Sequence, residues 1–449
     1  MKSKVNKRFL YTLLSALFIL IGTGLAIFYA KGNFRLTDKG FVQGTGLLSA
    51  NSFPTAAEVL IDGKLITVTD DTVYLEPGEY EIEVVKDGYN GWKKRVRIEK
   101  ELVVQTNATL FPKAPSLTTL TYNGALNLSP SPDGQKIIYY GHSNTSERKN
   151  GLYILELSNN AFTFQKEPIQ ISDESLNFDL KTAKFIWSPD SSEVILVTED
   201  REVLLNITKL NTLDSLTDIS FRKKQILSEW EQEMYLRERE NFSKFPPEIV
   251  AIATNSAKNV YISPDKKRMM YTATKNLTLP TELIPPVPAS STQPEERDLV
   301  AGRIYVYDSE EDKNFKVGEE ATASARIASK LLLATDLLDK NSPLISASPS
   351  AFQTLQATTS AQTATNFNIY HTSAFANTLQ WFPDSKHLIF VENDTVKIME
   401  YDTTNQTTLY SGPFSEKFVY PWPNGDRLVI LTSFSPETPQ NLYALELKK

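Results

Sequence analysis

Five times in the C-terminal part of the chain, a turn of the form Ser/Phe-Pro-Asp, or Trp-Pro-Asn in the last case, joins an apolar residue to an almost unbroken apolar run. The first is Leu128-Ser129-Pro130-Ser131-Pro132-Asp133-Gly134 before Lys136-Ile137-Ile138-Tyr139, and the second is Ile186-Trp187-Ser188-Pro189-Asp190 before Val194-Ile195-Leu196-Val197. Ile262-Ser263-Pro264-Asp265 precedes Met269-Met270-Tyr271, Trp381-Phe382-Pro383-Asp384-Ser385 precedes His387-Leu388-Ile389-Phe390, and Trp422-Pro423-Asn424-Gly425 precedes Leu428-Val429-Ile430-Leu431. Runs without polar alternation predict strands buried on both faces. Most are followed by a second strand pattern: Gly151–Leu155, Gly302–Asp308, Val396–Tyr401 and Asn441–Leu445. Each repeat thus supplies about four short strands, and units repeating at roughly 40 residues upward bury a continuous core by stacking.

These turns resemble the W-S-P-D-G repeat of TolB-like, WD-related β-propellers, and the resemblance covers Pro115 to Lys449. It implies a ring of four-stranded blades, about six of them, with seven the alternative. The family's turn Gly is replaced by Ser191, Lys266 and Ser385, and Trp is absent from the first and third turns. These departures weaken the blade count more than the fold.

At the other end, Phe9 to Ala30 is an uncharged stretch rich in Leu, Ile, Phe and Ala. As a helix it would be roughly 33 Å long, enough to cross a hydrocarbon core. Lys2, Lys4, Lys7 and Arg8 precede it with no acid among them, whereas Lys31, Arg35 and Lys39 follow beside Asp38. That bias places residues 1–8 in the cytoplasm, 9–30 in the cell membrane as a single pass, and the bulk of the chain outside. The rival reading is a cleaved signal peptide, but Tyr29 interrupts a small-x-small site near Ala30.

After a polar linker, 31–43, residues 44–112 change to short alternating runs. Glu58-Val59-Leu60-Ile61 and Tyr80-Glu81-Ile82-Glu83-Val84 are punctuated by Asp62-Gly63, Pro77-Gly78 and Asp87-Gly88. Alternation with Gly-containing turns is a strand-and-hairpin signature. The Gly residues tolerate positive φ there, Pro77 fixes its own φ, and Tyr80, Ile82 and Val84 present one apolar face. The order Gly46-Leu47-Leu48-Ser49, Pro54, Ala57, Val59, Ile61-Asp62-Gly63, Leu75, Pro77-Gly78, Tyr80, Ile82, Val84, Gly88-Tyr89 and Trp92 resembles a PEGA domain. The resemblance implies a small β-sandwich spacer or adhesion module of bacterial envelope proteins and no chemistry.

Three insertions interrupt the propeller pattern, near 218–247, 279–298 and 316–365. In the charged stretch Arg222 to Glu240, ended by Pro246-Pro247, Ile226, Leu227, Trp230 and Met234 fall at helical spacing. A helix packing that stripe on the propeller side is expected, and a partner-docking helix is the other reading. Pro280, Pro285, Pro286 and Pro288 mark an extended connector. From Asn341 to Thr378 the chain carries no charge apart from any on His371, and Ala, Ser, Thr and Gln dominate its first part. Within it, 347–364 is expected to be a mobile excursion, with too little apolar area to offset ordering entropy.

With no cysteine, thiolate nucleophiles, thiolate zinc sites and disulfides are excluded together. A formal charge of −7 and a pI near 5.4 argue against nucleic acid as a partner. His142, His371 and His387 lie in separate segments without ligand spacing. Asp308, Glu310, Asp312, Asn314 and Glu319 occupy positions of a calcium loop, but Lys313 stands where Gly is required and Asp308 ends a strand pattern rather than a helix. There is no G-x-S-x-G elbow. No catalytic, cofactor-binding or metal-ligating residue is therefore named, and no cofactor is expected. The sequence reads as an all-β, membrane-anchored, extracytoplasmic binding or scaffold protein of the cell envelope, not an enzyme, whose propeller engages an envelope protein or glycan. The alternative is an envelope glycan hydrolase or lyase using carboxylates at the propeller channel.

Overall fold

The computed structural model describes residues 7–30, 34–36, 42–142, 150–157, 167–285, 287, 291–319, 379–415, 418–435 and 437–448. His371, the stretch 341–378 and its segment 347–364 lie outside the described residues. The chain forms two compact units: Met1–Lys86 with Gly91–Leu110 and Pro288–Thr292, and Asp87–Asn90 with Phe111–Val287 and Gln293–Lys449. In this division the main body of the first unit ends at Leu110. Asn90 N–H donates to Phe111 O at 2.8 Å and Tyr89 bridges Pro112, so Asp87–Asn90 belongs to the second unit.

In the first unit, the apolar stretch forms a helix, Lys7–Ala30, whose side chains at 11–27 are exposed. Among the described residues, no helix is long and apolar enough to cross a membrane.

The rest of this unit is built on two main sheets. Strands Lys64–Val68, Glu58–Ile61, Gly78–Val85 and Trp92–Ile98 form one sheet in that order, and Val103–Gln105, Gly46–Ala50 and Asp71–Leu75 form the other. Val59 faces Val84, and Ile61 faces Ile82, so the alternating run turns Ile82 and Val84 into a core with Leu48, Ala57, Trp92 and Ile98. Asp62 and Gly63 both have positive φ, 49° and 75°, the geometry of a two-residue type I′ hairpin. Gly78 instead opens a strand, and the positive φ lies at Gly88, 78°. The buried Thr69 hydroxyl, just past the strand Lys64–Val68, bonds Ser52 Oγ at 2.7 Å and accepts the Ala57 N–H at 3.0 Å.

The second unit is a β-propeller. Its first blade is Leu126–Pro130, Lys136–Gly141, Gly151–Glu156 and Ile169–Asp173. The second has three strands, Lys184–Trp187, Glu193–Val197 and Glu202–Asn206, extended by an isolated bridge from Val203 to Asp218. The third is Ala257–Ile262, Arg268–Ala273, Arg303–Asp308 and Lys313–Glu319, and the fourth is Leu379–Trp381, His387–Glu392, Thr395–Glu400 and Thr407–Tyr410. In the fifth, Val419–Pro421, Arg427–Thr432 and Asn441–Glu446 are completed by Leu117–Thr119. The start of the unit therefore pairs with its last strand, Leu117 opposite Leu445, and closes the ring non-covalently. The expected double burial of the second strands holds: all six residues of Arg268–Ala273 and the last five of Arg427–Thr432 are buried.

Among the described residues there are five blade sheets, not about six. The reason lies in the insertion after the second blade, which is helical: Lys223–Phe242, then Pro247–Asn255. Ile226, Leu227, Trp230 and Met234 pack on Ile186, Ile195 and Leu204 of the second blade. Phe242, Phe245, Ile249 and Ile252 pack on Met269, Tyr271 and Tyr305 of the third. The other face of the third blade meets the fourth directly, through Met270, Val306, Leu388 and Met399. The helices thus fill a blade-sized interval between blades two and three, and this insertion runs to Asn255 rather than 247. The insertion expected from 316 begins later, because Lys313–Glu319 is a blade strand. The proline-rich insertion is pinned at its base, where Leu277–Thr278 pairs with Asp298–Leu299.

Candidate binding cleft at the propeller axis

The repeated turn explains how the inner strands are held. In every blade the N–H at its fourth position bonds the carbonyl at its first: Gly134 to Ser131, Ser191 to Ser188, Lys266 to Ser263, Ser385 to Phe382 and Gly425 to Trp422. All five fourth residues have φ between 59° and 73°, so Ser and Lys adopt the left-handed conformation that Gly takes freely. Two of these departures from Gly have a use. Ser191 Oγ accepts the Asp133 N–H at 3.2 Å, and Ser385 Oγ accepts the Asp265 N–H at 2.9 Å, each linking its turn to that of the preceding blade. No bond explains Lys266. The turn carboxylates serve the turns: Asp190 accepts the hydroxyl of Ser188, first among the bonds that hold it below the usual carboxylate range.

Where the first strands of three blades meet the long helix lies a cleft of about 310 Å³. Its walls are the innermost strands of three blades, at Val260-Tyr261-Ile262, Leu379-Gln380-Trp381 and Tyr420-Pro421, with Met270 behind them. The fourth wall is the end of the long helix, through Glu238, Asn241 and Phe242. Two cross-blade bonds fix the strands: Trp381 Nε1–H donates to Tyr261 O at 3.2 Å, and Gln380 Nε2–H to Val419 O at 3.3 Å. Among the described lining residues Glu238 is the one carboxylate, and none is a lysine or arginine. Seven residues earlier on the same helix face, Glu231 has a buried Oε2 without a hydrogen-bond partner, and burial pushes its carboxyl up to about 7. Burial also raises the Tyr420 phenol. The arrangement can stack a planar or apolar group and offer it a negative charge. Glycoside hydrolysis uses two facing carboxylates, and the described lining residues supply one.

The acidic residues at 308–319 do not converge. Asp308 is fully buried and bonds Arg268 Nε–H at 2.8 Å, while Arg268 lies 4.3 Å over the Tyr401 ring. Asp312 accepts the Tyr307 hydroxyl, Asn314 accepts that of Tyr271, Glu310 pairs with Lys267 and Glu319 with Lys316. Among the described residues no group of three or more His, Cys, Asp or Glu could hold a metal ion. His142 bonds the Tyr140 hydroxyl at 3.0 Å, and that hydroxyl donates to Glu174. His387 lies in the fourth blade, its Nδ1 2.6 Å from Asp384 Oδ2. Burial pushes its pKa down, but the Asp384 carboxylate prevails and the net direction is up.

Sequence reading named none of the cleft residues as a site. A signal was present: Tyr261, Trp381 and Tyr420 each stand one or two residues before a repeated turn.

Comparison with known proteins places the PEGA domain family at residues 45–114. No curated protein matches the chain. Among solved structures, it is similar to a putative TolB from Agrobacterium tumefaciens, at 12% identity over 71% of this chain and 76% of that one, TM-score 0.20. It is also similar to TolB from Acinetobacter baumannii, at 11% identity over 82% of this chain but only 61% of that one, TM-score 0.20. A third similar structure is an oligogalacturonate lyase from Vibrio parahaemolyticus, at 12% identity over 85% and 82%, TM-score 0.18. At such scores the propeller assignment stands on the blades themselves. The chain therefore joins a PEGA domain, residues 45–114, to a β-propeller whose turns have the form of the TolB-like repeat.

Proposed function

We propose that this chain is an extracytoplasmic binding protein of the bacterial envelope, anchored by residues 9–30, whose propeller engages a partner at the axial cleft. The observation that carries the binding role is the cleft itself, whose described lining has aromatic and apolar walls, two amides and one carboxylate. A few polar groups set in a mostly apolar concavity are the usual make-up of a recognition site. The anchor is supported by a helix of 24 residues whose described apolar side chains are exposed, Phe18 by 80%. A PEGA domain directly after it suits a spacer at the cell surface.

A photo-reactive residue at Gln380 should cross-link a discrete partner in intact cells, whereas one at the exposed Lys209 should not. Equal labelling from both sites would remove the cleft from the proposal. Protease added to intact protoplasts should degrade the propeller, and full protection would reverse the topology. Incubation with envelope glycans should release no reducing ends. Turnover abolished by Glu238→Gln would replace the binding role with a hydrolase or lyase.

A further inference from the structure

We propose that the PEGA domain lies against the lipid surface through the apolar end of its second sheet; this rests on the anchor proposed at residues 9–30. In that sheet Val103–Gln105, Gly46–Ala50 and Asp71–Leu75 run side by side. Val103 stands opposite Leu47, and Leu47 opposite Tyr74, so the three form one row across the strands. Leu48 is fully buried, and by the alternation of a strand Leu47 and the residues level with it point outward. Val103 is 53% exposed and Tyr74 40%. Single exposed apolar residues are ordinary on a protein surface, whereas three in register on one face call for a cover. The next outward row, Gln105, Ser49 and Thr72, is polar. The face is thus apolar at one end and polar about 7 Å farther along.

The path of the chain puts the bilayer at the apolar end. The helix ends at Ala30, and Phe34 follows four residues later, at most about 14 Å away. Phe34 pairs with Gly44, so the residues from one to the other add only the spacing between paired strands, about 5 Å. Gly46, two residues on, opens the middle strand directly before Leu47. Gly46 therefore lies within about 26 Å of the end of the anchor. The apolar row is the first that the chain meets on leaving the anchor, and the polar row is the second. A lipid surface accepts protruding side chains without a shaped pocket. Its headgroup layer favours tyrosine, whose ring is apolar and whose hydroxyl stays wet, and Val103 and Leu47 enter the same layer as the apolar side chains of interfacial segments do.

Because the chain has no cysteine, Val103→Cys, Tyr74→Cys, Gln105→Cys, Phe18→Cys and Lys209→Cys each give the full-length protein one thiol to carry an environment-sensitive fluorophore. The labelled proteins are reconstituted into phosphatidylcholine vesicles with and without lipids that carry a spin-label quencher; the lipid is zwitterionic, so apolar contact rather than charge is read. Labels at Val103 and Tyr74 should emit at shorter wavelength than the label at Lys209 and lose severalfold more of their emission to the quencher. The label at Gln105 should fall between. Val103 and Tyr74 probe the row from the two edges of the sheet, so misfolding of one variant leaves the other to decide. The label at Phe18 reports the anchor separately. If it is quenched while those at Val103 and Tyr74 behave like Lys209, the anchor stands and this inference fails. If Val103 and Tyr74 are blue-shifted but unquenched, a protein surface or a second copy covers the row, and the lipid contact is overturned. If Phe18 itself is unquenched, the anchor fails and the inference with it.

Discussion

Ser385 offers a way to separate two opposed effects at one atom. Its backbone has φ of 62°, a conformation costing an L-residue roughly 1–2 kcal/mol, of which Gly is free. Its hydroxyl, on a residue only 2% exposed, accepts the Asp265 N–H at 2.9 Å and so joins the third and fourth blades. Ser385→Ala removes the bond, keeps the strained backbone and leaves a donor unsatisfied, at a cost of about 1–3 kcal/mol. Ser385→Gly loses the same bond but relieves the strain, less about 0.5–1 kcal/mol for the added freedom of the unfolded chain. Its loss should therefore be smaller by roughly 0.5 kcal/mol. Lys266 has the same backbone, φ of 63°, and no such bond, so Lys266→Gly should be neutral to stabilising by up to about 1 kcal/mol. Urea unfolding of the detergent-solubilised protein, followed by Trp fluorescence, reads all three, and thermal melts should move roughly 2 °C per kcal/mol. A Ser385→Gly loss larger than that of Ser385→Ala, or a clear loss in Lys266→Gly, would refute this account of the turn.

Leu227→Ala, at a residue 2% exposed in the helix–blade contact, should cost about 2–5 kcal/mol, whereas Leu236→Ala, at 53% exposure, should leave the melting temperature nearly unchanged. Similar melts for the two would mean that the helix is not part of the ring. His387 titrates higher folded than unfolded, so its pair with Asp384 is fully stabilising below about pH 6.5 and loses that contribution as pH rises through the folded value. Asp384 is shifted down: burial opposes this but the facing His387 outweighs it, so its share is lost only as pH falls toward 4 and below. Glu400 and Lys386 also face the imidazole, with opposite effects, and the rings of Phe111 and Phe382 enclose it edge-on. His387→Gln should accordingly lower the melting temperature more at pH 5.5 than at pH 9, and a pH-independent difference would dismiss the ion pair. Millimolar calcium should leave the melt unmoved, since Asp308 is already committed to Arg268; a calcium-dependent rise abolished by Asp312→Asn would restore the loop reading.

What the sequence revealed and what it hid divide along physical lines. Strands such as Lys136–Gly141 and Glu193–Val197 were legible because double burial demands unbroken apolar runs. The cleft was hidden for a different reason: Tyr261, Trp381 and Tyr420 lie on short, half-buried first strands, where no unbroken apolar run marks them. Trp422 shows the difficulty. Its N–H bonds Arg427 O as that of Ser131 bonds Lys136 O, so it stands in the place of Ser, while Pro421 holds the place that Trp187 and Trp381 take in their blades. Leu117–Thr119 escaped notice because a three-residue closing strand has no period to detect, and its partner lies more than 300 residues away. The helix was legible from its stripe of Ile226, Leu227, Trp230 and Met234, but not its place in the ring, which depends on Phe242 and the residues beyond Pro247 reaching the next blade.

That placement connects the fold to the cleft. In a ring of blades alone, every wall of the axis would be an inner strand, and the turns would repeat its chemistry around the circle. Here one interval is helical, and a helix end brings side chains and a dipole that no strand supplies. Glu238, Asn241 and Phe242 are on the last part of that helix, and the facing strands contribute rings and backbone edges. The cleft is therefore asymmetric, with charge on the helical side and aromatic surface mainly on the strand side. Phe242 belongs to the core of the third blade, whereas Glu238 and Asn241 are in none of the described cores, so these two can be changed while the blades' cores stay intact. A variant in which only Glu238 and Asn241 are replaced by serine should thus keep its β-sheet circular dichroism and lose the cross-link from Gln380. Retained binding would place recognition on the strands alone.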